Sequence, residues 1–446
     1  MRRCIETALE QWRVRPLRKP LVVLGARQVG KTYALEHFGR RSFSASPIIN
    51  FEQNPLFGDV FKGSLEPSRI LQELALVQGR PIDASGDFLF FDEIQECPRA
   101  LTSLKYFAEQ MPALAVCAAG SLLGVHLGDF SYPVGKVEEL KMVPMTFEEF
   151  LLAGPDPALA AHFQSLSATN LPSEAVHGLL WREFTMYLAV GGMPEVVAAF
   201  QSLRSDLWSA CEQVRKIQER LTTNHLADMA KHCGKQNAMH LERLWQNIPA
   251  QLSRDQTGSA PKFAFKEAIP GLRGYDRMAG VIDWLQAAGL ILRHPIVNSG
   301  HLPFAAHSKE NFFKLFVFDT GLLGALSRLP MTNILRQDYG SYKGYYAENF
   351  VAQEFHALGW QTACWREGQA EVEFLCEHEG RAIPAEVKSG QVTQSKSLAS
   401  FQAKYQPPFS FLLSGKVPCG KAGGAKRHLP LYMASKLWSQ TRMALT

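Results

Sequence analysis

Two short segments of this 446-residue chain carry residues that could do phosphate chemistry together. The first is Gly25-Ala26-Arg27-Gln28-Val29-Gly30-Lys31-Thr32, placed directly after the apolar run Leu21–Leu24. Two glycines with four residues between them, then Lys-Thr, between a buried strand and a helix, is the spacing that turns backbone N–H groups inward around phosphates. The N-terminus of the helix expected from Thr32 to Phe38 adds favourable dipole charge. In such a loop Lys31 reaches the β- and γ-phosphates and the Thr32 hydroxyl ligates Mg2+. The expected cradle for ATP is therefore Gly25 through Thr32, with Tyr33 just beyond it.

The second segment is Phe88-Leu-Phe-Phe-Asp92-Glu93. Four apolar residues bury a strand, and Asp92 at its C-terminal end is placed to hold Mg2+ through water. Glu93 is then positioned to polarise an attacking water, which implies hydrolysis of the nucleotide and not binding alone. Ser121, after Ala118-Ala-Gly, ends the next strand; it either senses the γ-phosphate or is a simple turn serine.

A third group lies far along the chain. Glu371-Val-Glu373 and Ile383-Pro-Ala-Glu386-Val-Lys388 read as two strands bearing acids, with Glu348 on the helix before them. Strand side chains repeat every two residues, so Glu386 and Lys388 share a face. Phosphodiester cleavage needs acids to hold Mg2+ and a cation beside them, and Glu348, Glu373, Glu386 and Lys388 supply those types. The competing reading is ordinary cross-strand ion pairing.

The elements that must position these residues follow from the patterning. Residues 1–150 alternate short apolar strands (Leu21–Leu24, Ile48–Phe51, Phe88–Phe91, Ala115–Ala119) with helices, which predicts a parallel α/β core. Helical spacing over 151–255, as in Leu179–Val190 and Leu207–Met229, predicts a helical lid or bundle. Over 256–335, an amphipathic helix from Tyr275 to Gly289 precedes strand-like Ile291–Val297 and Phe312–Phe318, the outline of a winged helix. Between Gly271 and Val297 only Arg273, Arg277 and Arg293 carry a fixed positive charge, few for reading DNA, so an oligomer contact is as good a reading as DNA binding. Residues 336–446 open on a helix at Tyr345–Leu358, continue with strands near Val372–Cys376 and Ile383–Val387, and include a Gly- and Lys-rich loop over Val417–Lys426.

Composition excludes some classes. The apolar share of 46% and charged share of 20% describe a globular chain. No apolar run is of membrane-spanning or signal-peptide length, and eight scattered cysteines without C-x-x-C spacing point to reduced thiols and a cytoplasmic location. The histidines show no metal-ligand spacing. The net charge of +5 is unevenly placed: no Asp or Glu follows Glu386, while Arg2, Arg3, Arg13, Arg15, Arg18 and Lys19 crowd the N-terminus. Separated basic zones suggest a polyanion partner.

Taken together, GARQVGKT, FFDEIQ and VPMTFEEFL resemble the AAA-superfamily P-loop ATPases of bacteria and archaea that carry a C-terminal domain of unknown function. Gly191-Gly-Met-Pro-Glu195, Phe318-Asp-Thr-Gly-Leu322 and Glu348-Asn-Phe-Val351 resemble markers of that second domain. The resemblance implies an α/β fold with an AAA-type core, ATP and Mg2+ as cofactors, and a homo-oligomer such as a hexameric ring. It also implies a trans-acting cation after the glycine at 135. Such ATPases commonly have arginine there; here it is Lys136, a flexible point charge without the guanidinium fork. The helix acid, strand acid and Glu-x-Lys order resembles the restriction-endonuclease-like (PD-(D/E)xK) fold of Holliday-junction resolvases. Two readings follow: an ATP-driven enzyme that processes duplex or branched DNA, or an ATP-dependent switch whose nuclease-like domain only binds DNA or a protein.

Overall fold

The structure is a computed structural model that describes residues 1–121, 132–252, 261–340, 342–390, 395–416 and 425–438. The stretch expected as a Gly- and Lys-rich loop lies outside the described residues from 417 to 424. The chain divides into two compact units, one mainly residues 2–143 and the other mainly 144–286 with 290–438.

The first unit runs α1 (Ile5–Arg13), β1 (Leu21–Leu24), α2 (Lys31–Ser42), β2 (Ile48–Asn50), α3 (Leu56–Val60), α4 (Pro67–Gln78), β3 (Phe88–Asp92), α5 (Pro98–Gln110), β4 (Ala115–Ala119) and β5 (Glu138–Lys141). All five strands are parallel, in the order β2-β3-β4-β1-β5. Helical crossovers cover both faces of such a sheet, which is why β3 and β4 are apolar along their length and wholly buried. The alternation of β3 divides its rings between the faces. Phe91 packs with Phe51, Phe61 and Phe107, while Phe88 packs with Trp12 and Phe38.

Strand β5 was not expected. Its sequence, Glu-Glu-Leu-Lys, hides the signal, because an edge strand can expose charge and bury only Leu140. Glu138 is fixed by Arg15 at 2.6 Å, and Met142 N donates to Leu24 O at 2.8 Å as the chain leaves the sheet.

The second unit begins with α6 (Phe147–Leu152), whose start is set by a capping box between Thr146 and Glu149. It continues with α7 (Pro157–Ser165), α8 (Glu174–Val190), α9 (Pro194–Leu203) and α10, which runs from Leu207 to Leu252 as 46 residues. Then come α11 (Ala279–Ala287), β6 (Ile291–Val297), β7 (Ser308–Val317), α12 (Thr320–Leu326), α13 (Met331–Leu335), α14 (Tyr342–Ala357), β8 (Thr362–Glu367), β9 (Ala370–His378), β10 (Arg381–Val387), α15 (Lys396–Tyr405), β11 (Ser410–Ser414) and β12 (Lys426–Pro430). These strands form one mixed sheet of seven in the order β12-β11-β10-β9-β8-β6-β7.

This sheet changes the reading of 256–335. The two strands expected as a wing do pair with each other, but β6 also pairs in parallel with β8, Ile296 with Cys364 and Val297 with Trp365. They extend the C-terminal sheet and do not stand as a separate winged-helix module. Among the described residues of 261–290 one α-helix forms, and it spans 279–287, shorter than the pattern from Tyr275 suggested. Arg293, one of the three arginines expected to read DNA there, lies over the Phe313 ring at 4.3 Å and pairs with Asp283.

A closed circuit of buried hydrogen bonds ties this unit together. Met145 N donates to Gly192 O (2.6 Å), and Gly192 N donates to Asp319 Oδ2 (2.6 Å). Thr320 N donates to Gln353 Oε1 (3.1 Å), Gln353 Nε2 to the Tyr187 hydroxyl (2.8 Å), and that hydroxyl back to Met145 O (2.6 Å). Asp319 also caps α12 through Leu322 N at 2.9 Å. Side chains at Gly191, Gly192 or Gly321 would collide with Asp319, Met145 and Val190. The Gly191-Gly192 and Asp319-Thr-Gly321 motifs are thus positions where two backbones approach too closely for a Cβ.

Next to the circuit, Glu354 is fully buried and accepts from Phe147 N at 2.9 Å, while its second oxygen has no hydrogen-bond partner. Burial pushes its carboxyl up to about 8. A carboxyl raised on folding binds more protons in the native than the unfolded state, so its contribution falls as pH rises from about 4.5 to 8. Glu354→Gln should match the parent near pH 4.5 and exceed it by a few degrees in Tm at pH 8, as read by thermal melts across that range.

Candidate functional site

The phosphate-loop residues converge where the sequence placed them. Gly25 and Gly30 have φ of 150° and 94°, and Gln28 adopts φ of 63°, so the loop folds through left-handed positions. Gly25 permits the close pass of β5's exit, since a Cβ there would collide with the Met142 carbonyl. Gly30 caps α2, whose N–H groups open toward the loop. Lys31 is buried and donates to Gly25 O and Ala26 O, both at 2.8 Å. Tyr33, included at the margin of the expected cradle, is 63% exposed and stacks on His37.

Strand β3 delivers Asp92 to the same end of the sheet. The Thr32 hydroxyl lies 3.2 Å from both Asp92 oxygens, and Asn50 Nδ2, from the neighbouring β2, donates to Asp92 Oδ2 at 3.0 Å. Burial, and then the adjacent Glu93, raise the Asp92 carboxyl to about 6. Two acids side by side, with no lysine or arginine paired to Asp92 among the described residues, are an environment that a cation would relieve. Glu93 has φ of 51° and is held by Gln95 Nε2 at 2.5 Å. From β4, Ser121 comes within 3.1 Å of Arg27 Nε and closes the loop's other side. Asn50 was missed in the sequence because nothing in Ile-Ile-Asn signals it; only the strand order brings it beside Asp92.

Lys136 is not part of this group. β5 runs parallel to β1 with Glu138 level with Leu21, so Lys136 lies beyond the N-terminal edge of the sheet, opposite the phosphate loop. It pairs there with Glu109 at 2.8 Å, both side chains half exposed.

The distant acids also meet, but with lysines among them. Lys388 Nζ lies 2.7 Å from Glu386 and 3.4 Å from Glu373, and Val387 N donates to Glu373 at 3.1 Å. Ser395 donates to Glu386 at 2.8 Å. Glu348, from α14, is bound instead to Lys314 of β7 at 3.2 Å, and Lys314 also holds Glu371 at 2.7 Å. Lys314 is fully buried; burial opposes its charge, yet Glu348 and Glu371 hold it protonated, well above the ordinary lysine range. Burial, then Glu373, push Glu386 up to about 8. Each of the two lysine amines therefore lies between two carboxylates. Among the described residues no group of three His, Cys, Asp or Glu side chains could hold a metal. Lys314 was missed, although a single lysine inside Phe-Phe-Lys-Leu-Phe is the mark of a buried charge awaiting partners. Trp365 is buried against Phe401.

A five-stranded parallel sheet carrying a phosphate loop, with Asp92-Glu93 on the strand two places away, defines a P-loop ATPase. Comparison agrees: residues 17–151 match a family model described as an AAA domain. Residues 182–333 and 343–416 match two further models, each described as a domain of unknown function, DUF8612 and DUF4143. The markers at 191–195 and 318–322 fall in the first of these matches and that at 348–351 in the second. No curated protein matches. Solved structures give loose superpositions. The Walker-type ATPase PABY2304 of Pyrococcus abyssi is 16% identical, covering 72% of this chain and 93% of its own, with a TM-score of 0.44. AMPPCP-bound DnaA from Aquifex aeolicus is 11% identical, covering 64% and 85%, at 0.28. Aeropyrum pernix ORC1 in complex with DNA is 14% identical, covering 76% and 92%, at 0.27. No described helix is long and apolar enough to cross a membrane.

Gly25→Ala tests the crowding at the loop. The added methyl forces the loop or the Met142 backbone to move, and nucleotide affinity should fall at least tenfold in a fluorescent-ATP titration.

Proposed function

We propose that this chain is a Mg2+-dependent ATP hydrolase that acts as an oligomeric switch on DNA, and that its C-terminal domain holds DNA without cutting it. In this reading the loop from Gly25 to Thr32 binds the phosphates, Thr32 and Asp92 hold Mg2+, and Lys31 neutralises the γ-phosphate. Glu93 takes a proton from the attacking water, and Ser121 with Arg27 lines the γ-phosphate side. The metal would supply charge neutralisation at the transferring phosphoryl group. Lys136 lies at the sheet edge remote from its own phosphate loop, so any action on a nucleotide is on a neighbouring copy's.

The observation that carries the non-cleaving reading is Lys314, a buried cation already paired with Glu348 and Glu371. A lysine is a permanent charge but supplies no Lewis acid and no activated water. Support for DNA comes from the stretch after Glu386 without an acid. The assay is ATP turnover and nicking on duplex, forked, single-stranded and four-way-junction DNA, in Mg2+ and Mn2+. DNA should bind and alter ATP turnover, with no strand cleaved. Mg2+-dependent nicking that Glu386→Ala abolishes would overturn the proposal in favour of a nuclease, and turnover indifferent to every DNA would remove DNA as the partner.

Two further outcomes follow from the site. Glu93→Gln should keep ATP affinity within a few-fold and lower turnover by roughly a hundredfold, whereas Lys31→Ala should lose affinity itself. Because Asp92 takes up a proton near pH 6, Mg2+-dependent ATP affinity should fall as pH drops below that value and hold steady above it.

A further inference from the structure

At the sheet edge opposite the phosphate loop, the segments preceding β1, β2 and β3 enclose an open cleft of about 550 Å3. Its lining is Arg13, Arg18, Arg41, Ser42, Ser44 and Ser85, with Phe43 and Gly86. Three guanidinium groups and three hydroxyls in one concavity are unusual on a chain of nearly neutral charge. The arginines are held in place from behind. Arg18 donates through its terminal nitrogens to the carbonyls of Arg13 and Ala113, which leaves its Nε buried with no acceptor. Arg41 is fixed by Glu6 and Glu10, and Arg13 is fixed by Glu10 through Nε alone, at 2.9 Å. The terminal nitrogens of Arg13 are thereby left to the cleft. Arg13 and Arg18 repel each other, and burial together with that repulsion lowers the Arg18 pKa. A bound anion would relieve that repulsion.

We propose that this cleft is a second phosphate site, separate from the nucleotide loop, which takes a small ligand bearing a phosphate or pyrophosphate group. Guanidinium forks bind tetrahedral oxyanions in pairs, and the Ser44 hydroxyl offers a further donor, while those of Ser42 and Ser85 already donate to Glu10 and Asp83. The size falls within the range of small-molecule sites, roughly 300–1,000 Å3. Glu6 and Glu10 behind the arginines, with Asp83 holding Ser85 at the rim, place negative charge around the cleft. That arrangement suits one compact anion and disfavours the long polyanion of a nucleic-acid strand.

The test uses the full chain carrying Lys31→Ala, which empties the phosphate loop, titrated calorimetrically with inorganic pyrophosphate. One equivalent should bind. Adding Arg13→Ala should weaken it at least tenfold, and so should adding Ser44→Asp, which puts a carboxylate in the cleft and leaves every arginine contact intact. In the chain with Lys31 unaltered, the same titration should count two sites, falling to one with Arg13→Ala. Absence of binding in both backgrounds beyond the phosphate loop, or binding unmoved by Arg13→Ala and Ser44→Asp, would overturn the proposal. So would a single-stranded oligonucleotide that binds in an Arg13-dependent way when pyrophosphate does not, because the phosphate source would then be nucleic acid.

Discussion

The second unit depends on one buried carboxylate. Asp319 binds Gly192 N and Leu322 N at once, fully out of solvent, with burial raising its carboxyl to about 6. Isolated burial of a charge is costly, and backbone donors aimed at it are what make it tolerable. Through those bonds, and the Gln353–Tyr187–Met145 bonds that complete the circuit, α6, α8, α12 and α14 are held at one point. Glycines at 191, 192 and 321 leave room for the backbones to meet there. What looked like family signatures in the sequence is the packing of this joint, and the joint sets the frame on which β7 and α14 bring Lys314 to Glu348.

The nucleotide site was legible because its determinants are local. A strand, a glycine-spaced turn and a helix lie within one short run, and the apolar residues before Asp92 announce a buried strand ending in an acid. Asn50 escaped notice since its role comes from the lateral order of strands, which sequence does not spell out. The C-terminal acids were found, and Glu373, Glu386 and Lys388 do converge. Their partner Lys314 came from a strand 34 residues before Glu348, in a hairpin whose strands were located while their neighbour was not. Two strands after a short helix suggest a wing; only the pairing of β6 with β8 shows that they continue a sheet.

That same pairing explains how Lys314 reaches Glu371. Two strands, β6 and β8, separate β7 from β9 in the sheet, a span of roughly 14 Å if the sheet were flat. The long lysine and glutamate side chains together nearly span that width, and the twist of the sheet closes the rest to 2.7 Å. Glu348, Glu371, Glu373 and Glu386 thereby gather around two lysines, Lys314 and Lys388. Removing either lysine leaves buried carboxylates without a counter-charge, a far larger perturbation than loss of a surface pair.

The charged edge strand β5 has a counterpart at each open margin of both sheets. β2 is three residues long, β7 opens on exposed Lys309 and Glu310, and β12 begins at Lys426-Arg427 and ends at Pro430. Short, charged or proline-ended margins refuse a further strand. Any association of copies of this chain is thereby biased away from growth by sheet extension, which is hard to reverse, and toward helix faces and loops.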